Sequence, residues 1–232
     1  MIFIGKKHFG KERALIDLRL KKENGEDNLD DAESLDEFKL AHPELENVLS
    51  DITFEGKNYE GKSFFTDGIG EVTVTGYVDG DTTRFRDSNG QTESLRYLGV
   101  DTPESTAAFE PWGKAASAYT QSCLSNAKKI VLEAEAPGDK DGNQRYLGWV
   151  WYMDNNSEWH LLNVQQVLYG YTKDKASEGT KYNAAITSIG LEIQKTGRRV
   201  WNEHDPNFDY SKDPKDVEIK TLMENFGEYY GK

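Results

Sequence analysis

A chain of 232 residues, 36% hydrophobic and 12% aromatic, can bury a core in one domain or two and does not have the composition of a disordered polymer. No run approaches the ~18 apolar residues of a membrane-spanning helix, and a single cysteine, Cys123, excludes an intrachain disulfide and a thiolate metal cluster. The net charge of -13 argues against a protein that coats nucleic acid through a basic surface.

That charge is unevenly spread. Residues 1–69 hold 10 Lys/Arg against 16 Asp/Glu, residues 70–204 hold 14 against 18, and residues 205–232 hold 4 against 7. Most of the excess acidity lies in the flanks, and several acids of the middle belong to a candidate cation site. Acidity of this kind is compatible with a cation-assisted enzyme. Residues 1–10 carry lysines but no apolar stretch of signal-peptide length and no small-residue cleavage site, so the expectation is an intracellular protein or a mature form without its leader. Cys123 lies among Tyr119, Thr120 and Leu124 in a helical pattern and reads as a small buried hydrophobe.

In chain order, residues 24–37 are acidic and poor in apolar side chains, as in a solvated loop or the start of a short helix. Residues 35–49 fit helical spacing, with Pro43 interrupting. Residues 58–70, rich in Gly, Lys and aromatics, read as a linker or an added edge strand. From Glu71 the texture changes. Residues 71–78, 82–87 and 92–100 alternate as strands, joined by turns at Asp79-Gly80-Asp81 and Ser88-Asn89-Gly90, giving an antiparallel meander. A helix is predicted over 111–129, strands over 129–134 and 146–152 around the loop 137–144, and helices over 161–169 and 177–197. Five strands with a helix between the third and fourth is the order of an OB-type barrel. Beyond Asp205 the prolines and acids suggest an extended wrap ending in a short helix over 217–225.

Three clusters carry chemistry. Asp79, Asp81 and Thr82 sit at a turn; Arg96 runs along a strand into Asp101-Thr102-Pro103-Glu104; Arg145 enters a tryptophan-rich strand. Asp81, Asp101 and Glu104 offer the hard oxygens that calcium takes. Zinc fits less well, because His8, His42, His160 and His204 are scattered and none has a ligand-like neighbour, and no EF-hand pattern is present. Arg96 and Arg145 are suited to a phosphate whose charge grows in a transition state. Each cluster also has a plain reading as a turn, a surface ion pair or a helix start. Arg96 and Asp101 stand five residues apart, an odd spacing that strict alternation would send to opposite faces unless Asp101 lies past the strand end.

Taken together and in this order, the strings TVTGYVDGDTTRF, LRYLGVDTPES, EPWGKAASAYT and NQRYLGWVW, with the close Arg198-Arg199-Val200-Trp201, resemble the staphylococcal nuclease (thermonuclease) family over residues 70–204. The resemblance implies an α+β fold, an OB-fold five-stranded antiparallel β-barrel capped by three helices, with an N-terminal acidic extension or linker (1–69) and a C-terminal acidic tail (205–232). It implies a monomeric calcium-dependent endonuclease that attacks DNA and RNA, single-stranded or locally melted, to leave 3′-phosphate ends. By motif, Asp81 and Asp101 would hold Ca2+ through carboxylates and Thr102 through its backbone carbonyl, with Asp79 nearby. Arg96 and Arg145 would clamp the phosphate, and Glu104 would orient or deprotonate the attacking water. The family's export and the need for millimolar calcium imply a secreted or cell-surface protein, with a cytoplasmic one as the alternative.

Two departures weaken nucleotide binding. Gly142-Asn143-Gln144 precede Arg145 where the family often has a basic residue, a tyrosine and a glycine, and Ala176 replaces a tyrosine, leaving Tyr171 or Tyr182 to stack on a base. The competing readings are an inactive nucleic-acid- or protein-binding module of the same fold and a structural calcium-binding barrel. Retention of Asp81, Arg96, Asp101, Glu104 and Arg145 opposes the first, and the second gives the arginines no role.

Overall fold

The computed structural model describes residues 34–54, 58–106, 109–175 and 177–211. The expected helix over 217–225, the acidic stretch 24–33 and Ala176 lie outside the described residues. The chain divides into two compact units, Met1–Asp51 and Ile52–Lys232.

In the first unit, helix α1 (Leu35–Ala41) starts where the Ser34 hydroxyl accepts from the Glu37 N–H at 3.2 Å while the Glu37 carboxylate accepts from the Ser34 N–H at 2.8 Å. Pro43 lacks an N–H and stops it, and the chain resumes as a 3₁₀ turn (Pro43–Leu45) and α2 (Glu46–Leu49). Phe38 and Leu49 are the buried side chains of these elements.

The second unit holds α3 (Phe64–Asp67), β1 (Ile69–Asp79), β2 (Thr82–Asp87), β3 (Thr92–Tyr97), β4 (Val100–Asp101) and α4 (Gly113–Ser125). It continues through β5 (Lys129–Glu133), β6 (Tyr146–Met153), β7 (Trp159–Leu161), α5 (Leu162–Leu168), β8 (Lys173–Asp174) and α6 (Asn183–Thr196). Where the sequence reads as linker or edge strand, α3 buries Phe64 and Phe65 beside the ring of Tyr146, with centroids 6.0 and 4.8 Å away. Adjacent aromatics next to the barrel wall gain more from burial than from an extended, solvated path.

The sheet runs β3-β2-β1-β5-β6-β7, and an additional β3–β6 pairing closes five of these strands into a barrel. That closing pair is parallel, while the other barrel pairs are antiparallel. β1 serves two neighbours, pairing with β5 at its start and β2 beyond, and the irregularities after Val74 and Tyr77 let it curl between them. Phe85, Leu95, Val131, Leu132, Trp149 and Val150 are fully enclosed inside the unit. Every residue of α5 is buried, the amides Asn163, Gln165 and Gln166 included. α6 turns Ile186, Ile189 and Ile193 inward and leaves Leu191 exposed. Among the described residues no helix is long and apolar enough to cross a membrane.

Candidate active site

The chemistry gathers where β1, β2 and β3 meet the β4–β8 ribbon. Gly80 turns the chain from β1 into β2 and leaves the Asp81 side chain 1% exposed. The β2–β3 register sets Thr82 opposite Arg96, so the guanidinium arrives beside Asp81. Arg96 Nη1 pairs with Asp81 Oδ1, and Nη2 pairs with Asp101 Oδ1 and donates to the Val100 carbonyl at 3.3 Å. The odd spacing of Arg96 and Asp101 is resolved by the turn between them. β3 ends at Tyr97, and Gly99 at φ 75 takes a conformation other residues avoid, so alternation is broken before Asp101.

Asp81 accepts further bonds, from the Thr82 hydroxyl at 3.0 Å and the Thr102 N–H at 2.7 Å. Burial pushes its carboxyl above the ordinary carboxylate value, and the Arg96 charge and these donors hold it back. The Thr102 hydroxyl is buried without a protein partner. Asp101 is more open, and its second oxygen meets Lys175 Nζ at 3.2 Å. Arg145 binds Asp141 Oδ2 through Nε at 2.7 Å and Nη2 at 2.6 Å, and its Nη1 reaches the Thr82 hydroxyl at 3.4 Å. Burial alone would raise the Asp141 carboxyl, but the Arg145 side chain and two backbone N–H groups outweigh it, so its pKa lies below the ordinary value. Glu104 is raised by partial burial and then by the charges of Asp79, Asp81 and Glu110, with Arg96 opposing. Asp79 itself accepts from the Ser105 N–H and hydroxyl and the Thr106 hydroxyl, pinning the chain just after Glu104.

Asp81, Arg96, Asp101, Thr102 and Arg145 thus form one hydrogen-bonded set, with Glu104 in its electrostatic field. Asp81 and Asp101 each present a carboxylate oxygen to the same guanidinium, and the Thr102 N–H donates to the other oxygen of Asp81. This all-oxygen donor set suits a hard cation of the calcium type.

Other residues of the site were not evident in the sequence. The Gly80 carbonyl accepts from the Thr120 hydroxyl at 2.6 Å and from Gln166 Nε2, and the Leu98 carbonyl accepts from Asn163 Nδ2 at 2.9 Å. Two buried amides on α5 therefore brace both turns that present the acids. The available signal was three amides, Asn163, Gln165 and Gln166, among the leucines and valines of one short helix, where an unsatisfied polar group is costly.

Two expectations are corrected. Tyr182 is 1% exposed, packs edge-on against Trp149 at 5.1 Å and shares a 3.3 Å hydrogen bond with Glu133, so it belongs to the core and cannot stack on a base. Tyr171 is stacked on Tyr119 at 4.9 Å, with the Arg199 guanidinium 4.3 Å from its ring. His160 does have ligand-type neighbours, Asp154 at 3.3 Å and Glu158, in the β6–β7 hairpin. There Asp154 caps the turn by accepting from the Asn156 and Glu158 N–H groups, both at 2.9 Å.

Residues 94–203 match a family model described as Staphylococcal nuclease homologue. The chain is similar to the thermonuclease of Staphylococcus intermedius, 34% identical over 157 residues that span 65% of this chain and 89% of that protein. It is similar to the thermonuclease of Staphylococcus hyicus at 31% over 129 residues, 54% of this chain and 72% of that one. Similarity to endonuclease YncB of Bacillus subtilis is 36% over 138 residues, 57% and 62% of the two chains.

Proposed function

The chain belongs to the staphylococcal nuclease family, and from that premise we propose that it is a calcium-dependent nuclease hydrolysing phosphodiester bonds of DNA and RNA to leave 3′-phosphate ends. The observation that carries this reading is the bridge of Asp81 and Asp101 by Arg96, with Arg145 reaching the same Asp81 through the Thr82 hydroxyl. A merely structural cation site has no use for two guanidinium groups there.

In this reading Asp81 and Asp101 hold the cation through carboxylates and Thr102 through its backbone carbonyl. When bound, the ion supplies positive charge beside the phosphate. Arg96 and Arg145 donate paired hydrogen bonds to the non-bridging phosphate oxygens, whose charge rises as water adds to phosphorus. Glu104 orients that water and accepts its proton. The bond from phosphorus to the 5′ oxygen then breaks, and that oxygen takes a proton from solvent. Single-stranded or locally melted substrate is favoured because the phosphate must approach side chains only 1% and 14% exposed, those of Asp81 and Arg96. All of these residues come from one chain, in keeping with a monomer as the active unit. The need for millimolar calcium favours action outside the cell or at its surface.

The test is cleavage of a fluorophore–quencher single-stranded DNA in millimolar calcium and in excess EGTA, with Arg96→Ala alongside. Cleavage should vanish in EGTA and kcat should fall by about 10²–10³ in the variant. A wild type that binds the oligonucleotide in calcium without cutting it would overturn the proposal in favour of a binding module.

A further inference from the structure

We propose that residues 203–210 form a latch on the segment that carries Glu104, and that Asp205 is a positioning residue for the hydrolysis. This inference rests on the reading of Glu104 as the residue that handles the attacking water.

The starting point is a buried charge. Asp205 is 1% exposed, and a carboxylate removed from water must find donors. One oxygen accepts from the Asn207 N–H at 2.9 Å, within its own turn; the other accepts from the Trp112 N–H at 2.8 Å, far away in sequence. Trp112 is held at φ 68, a left-handed conformation that bulky side chains rarely adopt and that persists only when neighbours impose it. A second bond imposes it from the other side, as Trp112 Nε1 donates to the Glu203 carbonyl at 2.9 Å. The segment adds a ring contact, Phe208 against Phe109 at 5.3 Å. Its own shape is closed by the Asp205 N–H donating to the Tyr210 hydroxyl at 3.0 Å.

From Trp112 the contacts run to Glu104 without a gap. Gly113 follows directly, and a Cβ there would lie 2.2 Å from the Glu104 carbonyl oxygen, so only glycine permits the approach. The Gly113 N–H donates to the Glu110 carbonyl at 3.0 Å, and the Glu110 N–H donates to the Glu104 carbonyl at 3.1 Å. The Glu104 N–H returns to the Glu110 carboxylate at 2.9 Å. Glu104 therefore has its backbone fixed on both sides by groups whose own position depends on Trp112. The latch does not cover the site, because an open cleft of about 920 Å³ lies between, lined by Glu104, Trp112, His204 and Tyr210. A substrate can reach Glu104 while Asp205 holds its support from behind.

The experiment compares wild type with Asp205→Ala, Asp205→Asn and Phe208→Ala in calcium, reading kcat, KM and amide hydrogen exchange of peptides covering 104–113. Asp205→Ala should lower kcat on the order of 10- to 100-fold, the scale of a misplaced catalytic group, with KM nearly unchanged. Exchange should rise in those peptides and not in the barrel strands, and Asp205→Asn, which keeps an acceptor oxygen for the Trp112 N–H, should recover most of kcat. If Asp205→Ala does not fold, Phe208→Ala carries the same expectation in milder form. An unchanged kcat in the folded variants overturns the latch, and so does a loss matched by faster exchange throughout the barrel. A wild type that cuts nothing overturns the nuclease reading and the latch together; an active wild type with unaffected variants overturns the latch alone.

Discussion

Arg96 and Arg145 reach the same buried carboxylate by different means. Arg96 sits on a barrel strand, and its partners Asp81 and Asp101 come from the β1–β2 turn and from β4. It is placed only once β1, β2 and β3 have paired and the β4–β8 ribbon has brought Asp101 alongside. Arg145 takes its main partner, Asp141, from four residues earlier, and Asp141 also accepts from the Asn143 and Arg145 N–H groups. That loop is organised by its own chain, and it touches the Asp81 cluster by one 3.4 Å bond to the Thr82 hydroxyl. One half of the site is therefore a property of the whole fold, and the other half is a local structure that can be altered with little effect elsewhere.

The largest consequence falls on the barrel half. Arg96→Ala leaves Asp81, 1% exposed, without its countercharge, and breaking a buried pair in this way typically costs about 3–5 kcal/mol. Arg96 keeps some solvent contact, so the lower end of that range is expected in urea unfolding with EGTA present. Millimolar calcium should then stabilise the variant more than the wild type, because a cation supplies the missing charge and no longer competes with a guanidinium. Equal stabilisation of the two would break the link between Arg96 and a cation held at Asp81.

The loop half should respond more weakly. Asp141→Asn removes the charge under Arg145 and keeps an oxygen for the backbone N–H groups, so stability should fall by about 1–2 kcal/mol. Loss of Arg145 alignment should lower kcat about tenfold. The pH dependence follows from the depressed carboxyl of Asp141. A group whose folded pKa lies below the unfolded value of ~4 contributes stability that is present above that value and fades as pH falls through the folded one. Melting curves should show the gap between wild type and Asp141→Asn at neutral pH and its closure below about pH 4. A gap that persists in acid would mean that the carboxylate charge is not what holds Arg145.

The same division decides what could be read from the sequence. The barrel strands are half-buried and alternate, and the expected strand over 71–78 lies within the observed β1 (Ile69–Asp79) while the one over 82–87 coincides with β2. The motif residues Asp81, Arg96, Asp101 and Arg145 also converge. Residue parity could not place Asp101, because a single glycine at φ 75 stands between it and the strand. The β4–β8 ribbon has two residues on each side, too short for any periodicity, yet it brings Lys175 to Asp101 across 74 residues of sequence. Asn163 and Gln166 were hidden because their partners are backbone carbonyls at distant turns. Tyr182 misled for the opposite reason. A tyrosine at a helix start looks free until Trp149, Trp151 and Glu133 are seen around it.

The smallest effect probes how self-contained the Arg145 loop is. Gln144, where the family often has glycine, is exposed and sits at φ 64 immediately before Arg145. A left-handed conformation costs a non-glycine residue roughly 1–2 kcal/mol, and glycine would relieve it. Glycine also frees the unfolded chain, which takes back about 0.5–1 kcal/mol. The balance predicts that Gln144→Gly is stabilised by up to about 1 kcal/mol, a rise in Tm of about 2–4 °C for a unit of this size. Because Asp141 and Arg145 keep their mutual bonds, kcat should not move. A fall in Tm would mean that the Gln144 side chain supports the loop through contacts outside it, and Arg145 would then depend on the rest of the fold much as Arg96 does.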